Sequence, residues 1–462
     1  MKTISLKNTI LITSLVVTLL SCNSSRHFHK ETVDTEGLFG FEAADSTNMA
    51  DQPWQGVFND PFLENLIQEG LANNIDLQIA VQKVVEAEAY LSQSKASLFP
   101  GITAQGAAAH VRNSESTYPA GPRNFDTYQL NAQASWEIDI WDKLRSSKRA
   151  AYANLLASDA GKKAVQTRLI ANIASAYYSL TALDAQLEIT RRTVENNIEL
   201  VEIMKTLKES GQVTGAAIVQ SEAVRYAAEV TIPDLEQQIR ETENALSFLL
   251  GRTPGTIERG SLSEQEISQL MTTGVPSQLL DNRPDVMQAE YAVMGAYEMT
   301  NNAKAYFFPS VTLTATTGFE ALELDELLDA SSFAANVIGG LTAPIFNRKA
   351  NTTRLKVARA QQEEALLSLR NALLNAGQEV NNALGAYEAS WQKIELRQKQ
   401  LDALAKSVEY SKELLNYGSA TYLEVLNAQQ SLLSAELSDV NDRLQQLNSV
   451  VSLYRALGGG WK

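Results

Sequence analysis

A single cysteine, Cys22, occurs in the whole chain, and it follows directly on Leu19-Leu20-Ser21. A thiol in that place is an acyl acceptor. Lys2 and Lys7 form a basic leader, and Ile10 to Leu20 is an apolar run too short for a comfortable membrane span. Together they read as a bacterial secretory signal with a lipobox. Residues 1–21 are expected to be removed and Cys22 to be diacylated. With one cysteine there is no intrachain disulfide and no cysteine-based metal site.

Other reactive side chains are sparse. The three histidines are His27, His29 and His110. The first two form a His-x-His pair on a polar N-terminal tail, too few ligands for a site of their own. Glu363-Glu364 is a solvated helix face rather than an acid–base pair. No phosphate-cradling loop or nucleophile elbow is present. The sequence therefore predicts no enzyme, no metal and no cofactor beyond the lipid on Cys22. Two glycine turns, Gly211 to Gly215 and Tyr417 to Thr421 with Gly418, interrupt long helical stretches. Beyond the second turn, Glu424, Asn427 and Gln430 stand three residues apart and share a helix face. Residues 320–329 hold five acids, Glu320, Glu323, Asp325, Glu326 and Asp329, and predict a negative loop that favours cations.

The elements that carry these residues are repetitive. The chain has 462 residues and a formal charge of −15, close to −17 once Lys2 and Lys7 are lost with the leader. That balance argues against nucleic acid and against anionic lipid surfaces as partners. Asn74-Ile75-Asp76-Leu77 recurs as Arg283-Pro284-Asp285-Val286, and Lys95 to Pro100 recurs as Lys304 to Pro309, both offset by 209. Gly211 recurs as Gly418 and Leu250-Gly251 as Leu457-Gly458, both offset by 207. The body thus reads as two tandem halves, each ordered helix, two strands, very long helix, turn, helix. The expected division is a signal at 1–21, a lipidated tail at 22–58, a first repeat at 59–252, a connecting segment at 253–280 and a second repeat at 281–462.

Apolar residues at 3–4 spacing mark coiled-coil seams: Leu169, Ile173, Ala176, Leu180; Leu369, Leu373, Ala376, Val380; and Leu423, Leu426, Gln430, Leu433, Leu437, in which Gln430 is the polar break. Residues 142–210 and 347–416 each predict one helix roughly 100 Å long. No proline lies between Pro122 and Pro233 or after Pro344. Strands alternate instead. Tyr128, Leu130, Ala132, Ala134, Trp136, Ile138 and Ile140 fall on one face, with Gln129, Asn131, Gln133, Ser135, Glu137 and Asp139 on the other. Phe333 to Ala343 alternates likewise, and shorter strands precede them at Ile102 to Val111 and Val311 to Phe319. Ten-residue segments of this kind suit a membrane barrel with a wet lumen. Four strands cannot close a barrel, so it must be shared: two copies give 8 strands, three give 12 and room for a pore, and geometry prefers three or more.

The sequence resembles a TolC-like outer membrane factor, of the NodT-type outer-membrane efflux lipoproteins. The marks are Pro61 with Leu66-Ile67 and Asn74-x-Asp76-Leu77; Trp136-Glu137-Ile138-Asp139-Ile140-Trp141; Arg283-Pro284-Asp285; Pro344-Ile345-Phe346; Tyr422 to Gln429; and Leu457-Gly458-Gly459-Gly460-Trp461. They occur in order from about Trp54 to Trp461. The resemblance implies a homotrimer with a 12-stranded β-barrel in the outer membrane and an α-helical tunnel in the periplasm. It further implies docking of the tip turns, Gly211, Gly215, Gly418 and Thr421, on a periplasmic adaptor, and a partner inner-membrane transporter of the RND type. A type I secretion duct or a structural trimeric coiled-coil lipoprotein are the alternatives. Family members often carry two acids one turn apart after the second turn. Here the positions are Glu424 and Asn427, and Ala216 to Gln220 after the first turn has no acid. A tunnel constriction at Glu424, Asn427 and Gln430 is expected to hold divalent cations weakly.

Overall fold

The computed structural model describes residues 28, 38, 48–114, 116, 123–265 and 278–462. Cys22, His27, His29, most of the tail and residues 266–277 lie outside the described residues. The elements run α1 (Pro61–Asn73), α2 (Ile75–Ala96), β1 (Gly101–Arg112), β2 (Asn124–Ile138), α3 (Lys143–Glu209), α4 (Gly215–Glu229), α5 (Thr231–Leu249), α6 (Leu279–Asn282), α7 (Pro284–Ala305), β3 (Ser310–Ala321), β4 (Phe333–Thr342), α8 (Ala350–Asn416) and α9 (Tyr422–Ala456). The two long helices have 67 residues each. No helix of the described residues is long and apolar enough to cross a membrane.

Local chemistry sets the boundaries. Asp60 accepts from the N–H groups of Phe62 (2.7 Å) and Leu63 (3.4 Å), and Pro61 follows as the first helical residue of α1. β2 ends at Ile138, two residues before its apolar alternation does. Asp139 turns away to accept from Leu144 N (3.1 Å) and Arg145 N (2.9 Å), opening α3. The first repeat's last helix, read from sequence as one, is two. Pro233 lacks the N–H that would bond one turn back, and the chain breaks at Val230 between α4 and α5. Its counterpart α9 is continuous over 35 residues.

The chain divides into two compact units. Of the described residues, one holds Phe28 and those in 83–158 and 288–369; the other holds Leu38, 48–82, 159–265, 278–287 and 370–462. The first contains an antiparallel sheet in the order β1-β2-β3-β4. Its register keeps the alternation in phase across all four strands. Ala104 pairs with Ala132, Leu130 with Phe319, Trp136 with Leu313, Ala315 with Val337 and Phe319 with Phe333. On the other face Gln105 pairs with Asn131, Gln133 with Thr316, Glu137 with Thr312 and Thr316 with Asn336. A one-residue slip would mix the two faces, so the pairing has preserved one oily and one wet surface. Aromatic residues bound the oily face. Tyr128, Phe319 and Phe333 lie toward one end, with the Phe319 and Phe333 rings 5.9 Å apart, and Trp136 lies toward the helix end. β1 and β4 are left with open edges.

The sheet is anchored to its helices by indoles. Trp136 Nε1 donates to Leu98 O (2.9 Å) and Trp141 Nε1 to Pro309 O (2.7 Å), while Trp141 stacks on Phe308. Asp142, Arg348 and Lys349 take positive φ at the turns from β2 to α3 and from β4 to α8. Deeper in this unit, Glu298 is 1 % exposed and pairs with Arg149 at 2.9 Å.

The second unit is a helical assembly. Its core includes Leu63, Ile67, Ile170, Ile173, Tyr177, Leu180, Leu246, Leu250 and Leu453, and the α8 seam residues Leu373, Ala376, Val380 and Ala383 are buried. Charged pairs give the lateral order of the helices. Arg191 of α3 reaches Glu236 of α5 (2.7 Å), while Arg192 reaches Glu436 of α9 (2.8 Å) and Arg397 of α8 reaches Asp442 of α9 (2.9 Å). The order is therefore α5, α3, α9, α8. The segment Asn48 to Phe58, assigned from sequence to the tail, packs here: Met49, Ala50, Trp54 and Phe58 are buried and Phe58 meets the Tyr454 ring edge-on. Its apolar side chains explain why it leaves water. Farther back, Leu38 O accepts from Asn381 Nδ2 (3.1 Å), and Gly377 leaves room for that carbonyl. In the other unit Phe28 packs edge-on to Tyr297.

Candidate functional site

The two glycine turns are built alike. Gly211 and Gly418 have φ of 75° and 70°. Gly211 N donates to Lys208 O and Gln212 N to Leu207 O, both at 2.9 Å; Gly418 N donates to Leu415 O (3.0 Å) and Ser419 N to Leu414 O (2.8 Å). This is the paired bonding that ends a helix on a left-handed residue. A Cβ on either glycine would meet nothing within 4 Å. The glycines are therefore there for φ, not for space. Thr214 and Thr421 open the next helices in extended conformation. Gly215 is the first residue of α4, and the Thr421 hydroxyl donates to Glu424 Oε1 at 3.1 Å.

Both tips share one small core. Leu200 and Met204 of α3, Ala217 of α4, Leu415 of α8, and Val425 and Leu426 of α9 pack together. Tyr422 OH adds a bond to Gln220 Oε1 at 3.1 Å. The tips thus lie side by side at one level. On α9 the buried face at this end is Val425, Leu426 and Ala428. Glu424, Asn427 and Gln430 are all exposed in the single chain, on the face expected from their spacing. Leu423, expected in the seam, is 44 % exposed as well.

At the far end of each repeat the recurring motifs meet. Gly251 (φ 70°) closes α5 and sits against the Asn73 carbonyl; Gly458 (φ 89°) closes α9 and sits against the Asn282 carbonyl. A Cβ at either place would overlap that backbone. Next to them Asn74 Nδ2 donates to Leu249 O (2.8 Å), and Arg283 Nη1 donates to Ala456 O (2.8 Å). The offsets of 209 and 207 are therefore one contact made twice: the end of each repeat's first helix locked to the end of its last. Arg283 is buried against Asp285 (2.6 Å) and Glu379 (2.7 Å). Burial works against its charge, but the two carboxylates outweigh it and hold its pKa above the ordinary value. Trp461 Nε1 donates to Asn282 O (2.8 Å), and its ring lies 4.5 Å from Lys163 Nζ.

Two networks had no local signal in the sequence. Arg259, in the connecting segment, binds Asp184 of α3 (2.5 and 3.0 Å) and Glu243 of α5 (2.6 Å). Hydrogen bonding to Asp184 leads in raising its pKa. Tyr177 OH donates to Asp60 (2.5 Å) and accepts from Gly260 N (3.0 Å), and Gln265 also reaches Asp60. Both networks tie the connecting segment to the helices. Apart from Arg259 with Glu243, the partners named lie 75 or more residues apart in the chain, which no periodicity reveals.

The family model "Outer membrane efflux protein" matches residues 66–252 and 275–459, one stretch per repeat. The chain is 29% identical over 455 residues to the cation efflux system protein CusC of Escherichia coli O6:H1, covering 97% of this chain and 98% of that protein. It is equally 29% identical, over 406 residues, to the toluene efflux pump outer membrane protein TtgI of Pseudomonas putida, covering 87% and 86%. A crystal structure of CusC, from work on its transmembrane channel formation, superposes with a TM-score of 0.86 at 26% identity, over 95% of this chain and all of that one. The two-faced four-stranded sheet, the paired 67-residue helices and the doubled match together place this chain in the outer membrane efflux protein family.

Proposed function

We propose that this outer-membrane efflux channel is a passive duct. Its twin tips, Gly211 to Gly215 and Gly418 to Thr421, dock on a periplasmic adaptor that links it to an inner-membrane transporter of the RND type. Cys22 carries the lipid. The observation that carries the reading is the pairing of an amphipathic sheet, oily on one face and wet on the other, with two helical hairpins whose tips share one core. A purely adhesive coiled coil has no use for such a sheet. Three copies bring its four strands to twelve and close the open edges of β1 and β4. CusC and TtgI are equally similar to this chain, and their names give a cation and toluene as cargo. The duct accordingly passes what its transporter delivers.

The test is reconstitution with crosslinking. Purified channel should conduct ions in planar bilayers, and a photo-crosslinker at Ser419 or Gln212 should capture an adaptor from intact cells while one at Glu323 should not. A non-conducting protein refutes the duct. Conductance with no tip-specific capture refutes the docking site alone. Mass spectrometry of the mature chain should begin at a lipidated Cys22; a free thiol there refutes the anchor.

A further inference from the structure

We infer that the base of the sheet holds a binding pocket for small organic anions, with Arg354 as the cation that recognises them. A cavity of about 370 Å³ lies where β2, β3 and β4 meet the end of α7 and the start of α8, within one compact unit. That is the volume of a small-ligand site. The wet face of the sheet contributes Glu137, Ser310 and Thr342 to its wall, and the last two pair across β3 and β4. Once the oily face is given to lipid, the wet face lines the bore. The position of the pocket in the bore therefore rests on the protein being a duct; the pocket itself does not.

The charged lining residues are Glu137, Asp139, Lys143 and Arg354. Three of them are engaged. Lys143 Nζ donates to both oxygens of Glu137 (2.8 and 3.0 Å), and Asp139 accepts from Leu144 N and Arg145 N at the start of α3. Arg354 has no carboxylate partner among the described residues. Its guanidinium lies over the Tyr306 ring, 3.8 Å from the centroid, and Nη1 donates to Asn351 Oδ1 (3.1 Å). Asn351 is buried, and its Nδ2 donates to Tyr306 O (2.6 Å). The arginine is thus stacked on an aromatic ring and steered by a fixed amide, with most of its fork of N–H donors unspent. α8 starts at Ala350, which also lines the cavity, and its amino end adds partial positive charge. A planar oxyanion suits this arrangement, since a guanidinium binds a carboxylate through two parallel bonds. Apolar lining comes from Ile138, Ile140, Trp141, Phe308 and Pro344, with the Trp141 and Phe308 rings stacked. The ligand that fits is a carboxylate on a small aromatic or aliphatic body. In a chain of formal charge −15, the pocket gives anionic cargo a place to bind before it meets the acidic outer loop.

The test is equilibrium binding of 4-bromobenzoate to the purified full-length channel in detergent. Bromine quenches a nearby indole, and Trp141 lines the cavity. Saturable quenching is expected. 4-Bromobenzyl alcohol, the same ring without the charge, should bind about tenfold more weakly. Arg354→Gln should weaken binding of the acid about tenfold and leave the alcohol unchanged. Arg354→Lys keeps the charge without the fork, so its affinity should fall between; it also serves if the glutamine variant fails to fold. Trp141→Phe should remove the saturable signal. Bilayer recordings separate this from the duct: a parent that binds the acid but does not conduct overturns the duct and leaves the pocket standing. No saturable quenching in the parent, parental affinity for the acid in the Arg354 variants, or a signal that survives Trp141→Phe overturns the pocket.

Discussion

The two tips share a backbone and differ in what they expose. Each ends a 67-residue helix on a left-handed glycine, makes the same pair of hydrogen bonds and opens the next helix at a threonine. After the first tip come Ala216 to Gln220 and a helix broken before Pro233. After the second come Glu424, Asn427 and Gln430 on one exposed face of an unbroken helix. Duplication has kept the parts that fix the chain's path and released the parts that face outward. The same holds at the other end of each repeat. The closing glycine and its carbonyl partner are retained, while the neighbouring donor is a neutral Asn74 in one half and a charged Arg283 in the other.

The sharpest way to break this comparison is to add one methyl group at four equivalent places. Gly458→Ala and Gly251→Ala force a Cβ into a backbone carbonyl at positive φ. Each should cost about 3–5 kcal/mol, in the range of severe core defects. Gly418→Ala and Gly211→Ala meet no atoms, so only the left-handed conformation is penalised, by about 1 kcal/mol. Chemical denaturation of the four variants in detergent measures the contrast. Equal losses at tip and closing glycines would show that the crowding around the closing glycines adds nothing to the cost of positive φ, which all four share.

The next effect comes from the donors beside those glycines. Arg283→Ala leaves Glu379, Asp285 and the Ala456 carbonyl without their shared partner. Removing one member of a buried pair costs up to about 5 kcal/mol. Both carboxylates here reach water, so about 3 kcal/mol is expected. Asn74→Ala at the equivalent position loses only neutral bonds and should cost about 1 kcal/mol. Unfolding midpoints that fall equally would mean the charge on Arg283 adds nothing to its geometry.

These contrasts also mark how much was written in the sequence. The long helices and all four strands were legible because period 3.6 and period 2 each persisted over many residues. The glycine turns were legible because few residues tolerate positive φ. The break at Pro233 was missed although the proline was in view, since an apolar pattern can run through a kink. Asp139 was read as a strand residue because alternation does not show that a carboxylate will leave the sheet to cap α3. Phe58 and Trp54 are the apolar end of an otherwise polar segment, and the composition of that segment does not show that its last residues are buried. The Arg259 and Tyr177 networks join distant segments of chain, and only the fold brings their partners together.

The smallest effect on stability carries the most information on transport. Glu424, Asn427 and Gln430 are exposed, and among the described residues the Glu424 side chain bonds Thr421. Glu424→Ala should therefore change unfolding by less than about 0.5 kcal/mol. A three-fold axis would bring three Glu424 carboxylates to one level of the bore. Like charges in a confined passage attract cations. With Asn427 in place of a second acid, that attraction is single-layered and divalent ions should block the channel weakly. Glu424→Ala should relieve even that block and raise single-channel conductance, whereas Gln220→Ala, at the end of the acid-free stretch Ala216 to Gln220 after the first tip, should change neither. Asn427→Asp works in the opposite direction: a second acid one turn on should deepen block by divalent ions at unchanged stability. Recordings across all three variants separate the faces. If block and conductance stay at parental values in Glu424→Ala and Asn427→Asp alike, this face does not line the constriction, and the difference between the two tips must serve another contact.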